Sequence, residues 1–82
     1  MQNFYTYIIY SPKLDKYYIG STNNLERRLE DHNRGKTAFT KLGMPWELKY
    51  SKGFESRQLA VSYEMEIKRR KDRKYILNLI SK

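Results

Sequence analysis

Residues 4–20 read FYTYIIYSPKLDKYYIG, and the pattern of this stretch decides the fold. Phe4 to Ser11 is dense in tyrosine and isoleucine, side chains that suit a pleated surface, and predicts a strand. Ser11-Pro12-Lys13-Leu14-Asp15 is rich in turn formers and predicts a reversal. Lys16 to Gly20 returns to tyrosine and isoleucine and predicts a second strand. So short a connection joins antiparallel neighbours, so the two strands form a hairpin.

Beyond the hairpin, Thr22, Asn23 or Asn24 can cap a helix running from Leu25 to Asn33. That helix is expected to stop near Gly35, because glycine tolerates the left-handed conformation that closes a helix. Leu25, Leu29 and His32 fall on one side of it, and Arg28 stands one turn before His32 on a neighbouring stripe. Residues 36–43 predict a loop. From Trp46 to Ser51, Trp46, Leu48 and Tyr50 alternate with Glu47 and Lys49, which predicts a third strand ended by Gly53. Ser56 can cap a second helix, with Leu59, Tyr63 and Ile67 recurring at steps of four. Asp72 can cap a third, with Ile76, Leu77 and Ile80 apolar. The order β-β-α-β-α-α predicts an α+β domain, a three-stranded antiparallel sheet flanked by helices. No repeat or linker interrupts the pattern, and a single domain over residues 1–82 is expected.

The composition narrows the chemistry. With no cysteine among 82 residues, thiolate metal sites and cysteine nucleophiles are excluded. With one histidine, His32, a multi-histidine zinc site is excluded too. A bound metal must rest on oxygen ligands, which favours magnesium, manganese or calcium. The net charge of +8 on so small a domain points to a polyanionic partner, first of all nucleic acid, against the plainer reading of a solvated basic surface. The basic segments lack the wide apolar face of a membrane-surface helix. The apolar start MQNFYTYIIYS carries neither a basic leader nor a small-residue cleavage site, and no stretch reaches the length of a membrane span. A soluble, cytoplasmic protein with no membrane contact is expected, and the lack of cysteine accords with a reducing compartment.

One constellation carries chemistry. Tyr5-Thr6-Tyr7 lies in the first strand and Tyr18-Ile19-Gly20 in the second. Leu25-Glu26-Arg27-Arg28-Leu29 and then His32-Asn33 follow on the helix. Much later, Glu64 stands in Ala60-Val61-Ser62-Tyr63-Glu64. This set resembles the GIY-YIG nuclease superfamily, in particular its small stand-alone members related to the N-terminal nuclease domain of UvrC. The likeness runs over nearly the whole chain and takes in Phe39-Thr40-Lys41 and Pro45-Trp46-Glu47-Leu48. The second motif is matched as Tyr-Ile-Gly. In the first, Tyr5 and Thr6 replace glycine and isoleucine and only Tyr7 is kept.

The resemblance implies a metal-dependent DNA endonuclease that hydrolyses a phosphodiester bond, in DNA repair or recombination. It implies Mg²⁺ (or Mn²⁺) held by Glu64, and Arg28 gripping non-bridging phosphate oxygens through its planar fork. It implies Tyr7 or Tyr18 as general base or as orienter of the attacking water. A phenol with an ordinary pKa of about 10 needs nearby positive charge for the role of base. His32 corresponds to a family histidine that orients a tyrosine or moves a proton. Gly20 is the motif glycine that permits close approach. Arg27, Lys41 and the run Lys68, Arg69, Arg70 and Lys71 are candidate DNA contacts, with each neutralised phosphate steepening the salt dependence of binding. Asn78 is a further candidate to support metal or phosphate. A protein partner supplying specificity, or a simple stand-alone role, is also implied; nothing in the chain resembles base-edge readout, so sequence specificity is not expected from this chain alone.

Each residue also has a plainer reading. Tyr5, Tyr10, Tyr17, Tyr50, Tyr63 and Tyr75 are read as packing residues with polar tips. His32 can serve as a helix C-terminal residue, and Arg28 as a surface partner of nearby carboxylates. Glu64 can pair with Lys68 one turn on, and Glu66 is its rival as metal ligand. The competing function is a non-catalytic basic DNA-binding module that retains the nuclease fold.

Overall fold

The computed structural model describes residues 2–38, 40–70 and 72–81. Among the described residues seven elements follow one another: strands β1 (Phe4–Ser11) and β2 (Lys16–Thr22), helix α1 (Leu25–Asn33), a 3-10 turn at Lys41–Gly43, strand β3 (Glu47–Phe54), and helices α2 (Arg57–Arg70) and α3 (Arg73–Ile80). The sheet is antiparallel in the order β2-β1-β3, so β1 is its centre. This is the three-stranded α+β arrangement that the hairpin and helix pattern predict.

Local chemistry accounts for the element ends. At the hairpin reversal Asp15 takes φ 53°, a left-handed conformation that aspartate tolerates better than most residues. Its carboxylate accepts from Tyr10 Oη at 2.6 Å and from Arg73 at 2.6 Å, tying the turn to α3. Asn24 caps α1 by accepting from the Arg27 amide at 3.2 Å. Gly35, at φ 74°, follows the last turn as expected. Ser56 Oγ accepts from the Leu59 amide at the start of α2, and Asp72 from the Lys74 amide at the start of α3.

Alternation along the central strand builds two cores. On one face Ile8 packs with Ile19, Ile67 and Ile76, with Tyr17, Tyr50, Tyr63, Tyr75, Leu79 and Ile80 around them. On the other, Tyr7 and Ile9 pack with Trp46, flanked by Tyr18, Leu25, Leu29 and Met44. Helices α2 and α3 thus cover the first face and α1 the second.

The third strand departs from its expected course. It runs through Gly53 to Phe54 and begins after Trp46. Ile8 pairs with Tyr50 but Ile9 pairs with Leu48, so Lys49 is an extra residue in a bulge. A bulge reverses the side-chain phase. Tyr50 therefore joins the α2–α3 face while Trp46 stays on the α1 face, and the single alternating stripe Trp46-Leu48-Tyr50 does not form. Leu48 is left exposed. On α2, the expected stripe begins with Leu59, but Leu59 is 53% exposed and Ala60 fills the core position instead. Leu77 on α3 likewise faces outward.

Candidate active site

The hairpin register sets Tyr7 directly across from Gly20. A Cβ on Gly20 would lie 2.5 Å from Tyr7 Oη and 2.7 Å from its Cζ. The glycine is therefore the floor on which the phenol rests, and the tyrosine of one strand dictates the residue on the next. Tyr7 is only 2% exposed. Its hydroxyl lies 2.9 Å from His32 Nε2 and accepts from Arg28 Nε at 3.4 Å. Arg28 and His32 reach the same phenol because they stand one helical turn apart on α1.

On its far side, His32 Nδ1 lies 2.7 Å from Thr40 Oγ1. Thr40 is completely buried, and its carbonyl accepts from Trp46 Nε1 at 2.7 Å and from the Gly43 amide at 3.1 Å. Asn33, next to His32, clasps Trp46 twice. Its Oδ1 accepts from the Trp46 amide at 2.6 Å, and its Nδ2 donates to the Trp46 carbonyl at 3.1 Å. These bonds fasten the 40–46 segment to the end of α1. The sequence marks Thr40 through the family stretch, Trp46 also as the start of an alternating strand and Asn33 also beside His32 in the constellation, but the bonds among them depend on a loop folding back.

The electrostatics of the three central groups are coupled. Burial pushes the Tyr7 phenol above its ordinary value. The Arg28 guanidinium pulls it down, and Tyr18 and Glu64 add to the upward push, so burial prevails. Burial also lowers the His32 imidazole below its usual 6.5, helped by the Arg28 charge. Arg28 itself is held more firmly protonated, chiefly by its bond to Tyr7. At neutral pH the array is a charged guanidinium, a neutral phenol and a neutral imidazole.

Tyr18 presents its ring edge to His32 at 5.2 Å between centroids and to Trp46 at 6.3 Å. Glu64, near enough to raise Tyr7, comes from α2, where the Ala60 carbonyl accepts from the buried Thr6 hydroxyl at 2.6 Å. The Lys68 ammonium lies 2.6 Å from Glu64 Oε2 and 6.0 Å from the Tyr18 ring. The i,i+4 pairing open to Glu64 is thus formed. Glu66, two residues on, projects to another side of the helix and lies near Tyr63. No group of three or more acidic or histidine side chains able to hold a metal gathers among the described residues.

Arg27 and Arg28 line an open polar hollow of about 220 Å³ at the start of α1, with Thr22, Asn23, Asn24 and Asp31. Lys41 and Arg69 are exposed. Arg70 turns away from Lys68 and stacks on Tyr75 at 4.5 Å, as a spacing of two residues on a helix requires. Asn78 is exposed on α3. Lys71 and Phe39 lie outside the described residues. No helix among the described residues is long and apolar enough to cross a membrane.

A hairpin that seats a buried tyrosine on a glycine, with an arginine and a histidine of the next helix closing on its hydroxyl, defines a class. The family model for the GIY-YIG catalytic domain matches residues 3–76, and the chain belongs to that family, whose members are in general endonucleases. It is 46% identical over 56 residues to a UPF0213 protein of Streptococcus pneumoniae, a match covering 67% of this chain and 57% of that one. To UPF0213 protein YsiG of Lactococcus lactis it is 40% identical over 82 residues, covering 98% of this chain and 77% of the relative. The solution NMR structure of UPF0213 protein BH0048 from Bacillus halodurans superposes with a TM-score of 0.58 at 30% identity, covering 95% of this chain and 82% of that one. The chain thus spans little more than half the length of the pneumococcal relative.

The departures in the first motif have local reasons. Thr6 is fully buried and spends its hydroxyl on the Ala60 carbonyl, docking α2 on the sheet. Tyr5 donates its hydroxyl to the Gln2 carbonyl at 3.1 Å. Neither change disturbs Tyr7.

Proposed function

We propose that this chain is a DNA endonuclease that hydrolyses a phosphodiester bond with the help of one divalent cation. The observation that carries the reading is the convergence of Tyr7, Arg28 and His32 on one phenolic oxygen, with Glu64 near by. A phosphodiester hydrolase must activate water, neutralise charge growing on the phosphate and stabilise the leaving oxygen.

Tyr7 is the group that takes the proton of the attacking water. Its own phenolic proton passes in the same step to His32 Nε2, 2.9 Å away. Burial keeps both groups neutral beforehand, so the imidazole is free to accept. Arg28 stabilises negative charge on the phenolic oxygen and extends the remaining donors of its guanidinium toward the phosphate. Tyr18, edge-on to His32, orients the imidazole and the water. Arg27 contacts an adjacent phosphate from the hollow at the start of α1. Lys41, Lys68, Arg69, Arg70 and Lys71 are assigned to contacts with the DNA backbone.

The donor set suits magnesium or manganese. A single carboxylate, Glu64, leaves the rest of the shell to water and phosphate oxygens, which magnesium prefers. The Lys68 ammonium on Glu64 Oε2 would share or yield that carboxylate. Glu64 would hold the cation, which would supply Lewis-acid polarisation of the phosphate. A role in repair or recombination, with a protein partner selecting the DNA structure, fits the absence of any base-reading element in the sequence.

The test is nicking of supercoiled plasmid with Mg²⁺ or Mn²⁺ against EDTA. Wild type nicks only with metal, Glu64→Gln loses nicking while its melting temperature holds, and Glu66→Gln nicks normally. Loss of activity in Glu66→Gln but not in Glu64→Gln would reassign the metal ligand. An inert wild type that binds DNA in a salt-dependent way would favour a binding module.

A further inference from the structure

The hydrogen bonds through Tyr7 form a chain with fixed ends. At one end Arg28 Nε can only donate, and it donates to Tyr7 Oη. At the other, the Thr37 carbonyl can only accept. It receives the Thr40 amide at 3.1 Å and the Thr40 hydroxyl at 3.4 Å. Between them stand two contacts whose direction depends on where the imidazole carries its proton, Tyr7 Oη with His32 Nε2 and His32 Nδ1 with Thr40 Oγ1. No buried side-chain polar atom among the described residues lacks a partner.

One proton assignment satisfies every link. Tyr7 gives its proton to Nε2, Nδ1–H gives to Thr40 Oγ1, and Thr40 gives its hydroxyl proton to Thr37. The opposite tautomer would aim two donors, Arg28 Nε and His32 Nε2–H, at the Tyr7 oxygen and leave the phenolic proton without that acceptor. It would also turn the Thr40 hydroxyl away from the carbonyl. We infer that Thr40 is a positioning residue: it holds His32 as the Nδ1–H tautomer, so that the free lone pair of Nε2 faces Tyr7. This rests on the proton path proposed above and names the group that sets its direction.

Thr40 is itself set by the fold. Its carbonyl is held by Trp46 Nε1, and Trp46 is clasped by Asn33, so the loop that carries the hydroxyl is latched to the helix that carries the imidazole. The logic is that of other catalytic histidines, where the hydrogen bond at one ring nitrogen decides the state of the other.

The experiment is a long-range ¹H–¹⁵N spectrum of the imidazole at neutral pH, unambiguous because the chain has one histidine. Wild type should show Nδ1 as the protonated nitrogen and Nε2 as the bare one. Thr40→Val, which removes the hydroxyl at nearly constant shape, should shift population toward Nε2–H, and Thr40→Ser should restore the wild-type pattern. In metal-dependent nicking, Thr40→Val should lose about 10-fold or more in kcat with KM little changed, with Thr40→Ser recovering most of it. A wild-type spectrum with Nε2 protonated would overturn the inference, whether or not Thr40→Val folds. So would a Thr40→Val spectrum identical to wild type. A wild type that is inert on DNA, yet shows the Nδ1–H spectrum and loses it in Thr40→Val, would defeat the nuclease reading and support the role of Thr40.

Discussion

The two faces of one strand, β1, carry different kinds of core. Toward α2 and α3, Ile8 meets three other buried isoleucines in an aliphatic centre ringed by Tyr17, Tyr50, Tyr63 and Tyr75. Toward α1, Tyr7 packs with Ile9 and Trp46, and hydrogen bonds run from its hydroxyl to His32, from His32 to Thr40 and from Trp46 to the Thr40 carbonyl. An aliphatic core is tolerant of chemistry and sensitive to volume, whereas a hydrogen-bonded one is sensitive to the direction of each proton. On the function proposed above, the first face stabilises the fold and the second carries the chemistry.

The contrast is broken most forcefully on the aliphatic side. Ile67→Ala, at a position 1% exposed, should cost about 2–5 kcal/mol. That is a large share of the 5–15 kcal/mol typical of a whole domain. Urea denaturation should show the midpoint falling steeply, and the folded fraction should retain its specific activity. On the other face, Gly20→Ala should do the reverse. The new methyl displaces the Tyr7 hydroxyl, and a shift on the order of 1 Å at a reacting group can cost about 100-fold in rate. The accompanying loss of stability should be about 1–3 kcal/mol, read from the same urea curves.

A smaller effect separates the faces by pH. Burial holds the folded His32 imidazole below its ordinary 6.5. As pH falls, the unfolded chain takes up the proton first, so this contribution to stability is complete above about pH 6.5 and is lost toward the lowered value of the folded state. Urea midpoints should drop between about pH 7.5 and about pH 5.5 in wild type and drop less in His32→Gln. Nicking should decline over the same acid limb as the imidazole ceases to accept. The smallest expected change is at the surface. Arg69→Ala should leave stability and chemistry alone and reduce the slope of log affinity against log salt by about one, if Arg69 lies on a phosphate.

Much of this division can be read in the sequence where it depends on local chemistry. The hairpin, the bounds of α1 and the caps Asn24, Ser56 and Asp72 all follow from a few adjacent residues. Tyr7, Arg28 and His32 are recognisable through the family resemblance, and the structure does bring them together. What the sequence hides depends on partners distant in the chain. The bulge at Lys49 arises from how β3 meets Ile8 and Ile9, and it divides Trp46 from Tyr50 in a stripe that reads as continuous. Ala60 takes the place expected for Leu59, because a small residue lets the helix approach close enough for its carbonyl to meet Thr6. The sequence shows Thr40 only as part of the family stretch Phe39-Thr40-Lys41 and hides its bond to His32, which forms when the loop closes on the helix.

The most direct test of the account is single-turnover cleavage of a branched oligonucleotide with Mg²⁺ by wild type and by Tyr7→Phe, with binding followed separately in EDTA. Removing one phenolic oxygen should leave DNA affinity close to wild type, cost about 1–3 kcal/mol of stability because His32 Nε2 loses its buried partner, and lower the cleavage rate by about 100-fold or more. A Tyr7→Phe protein that cuts at the wild-type rate would contradict the assignment of this face as the site of chemistry.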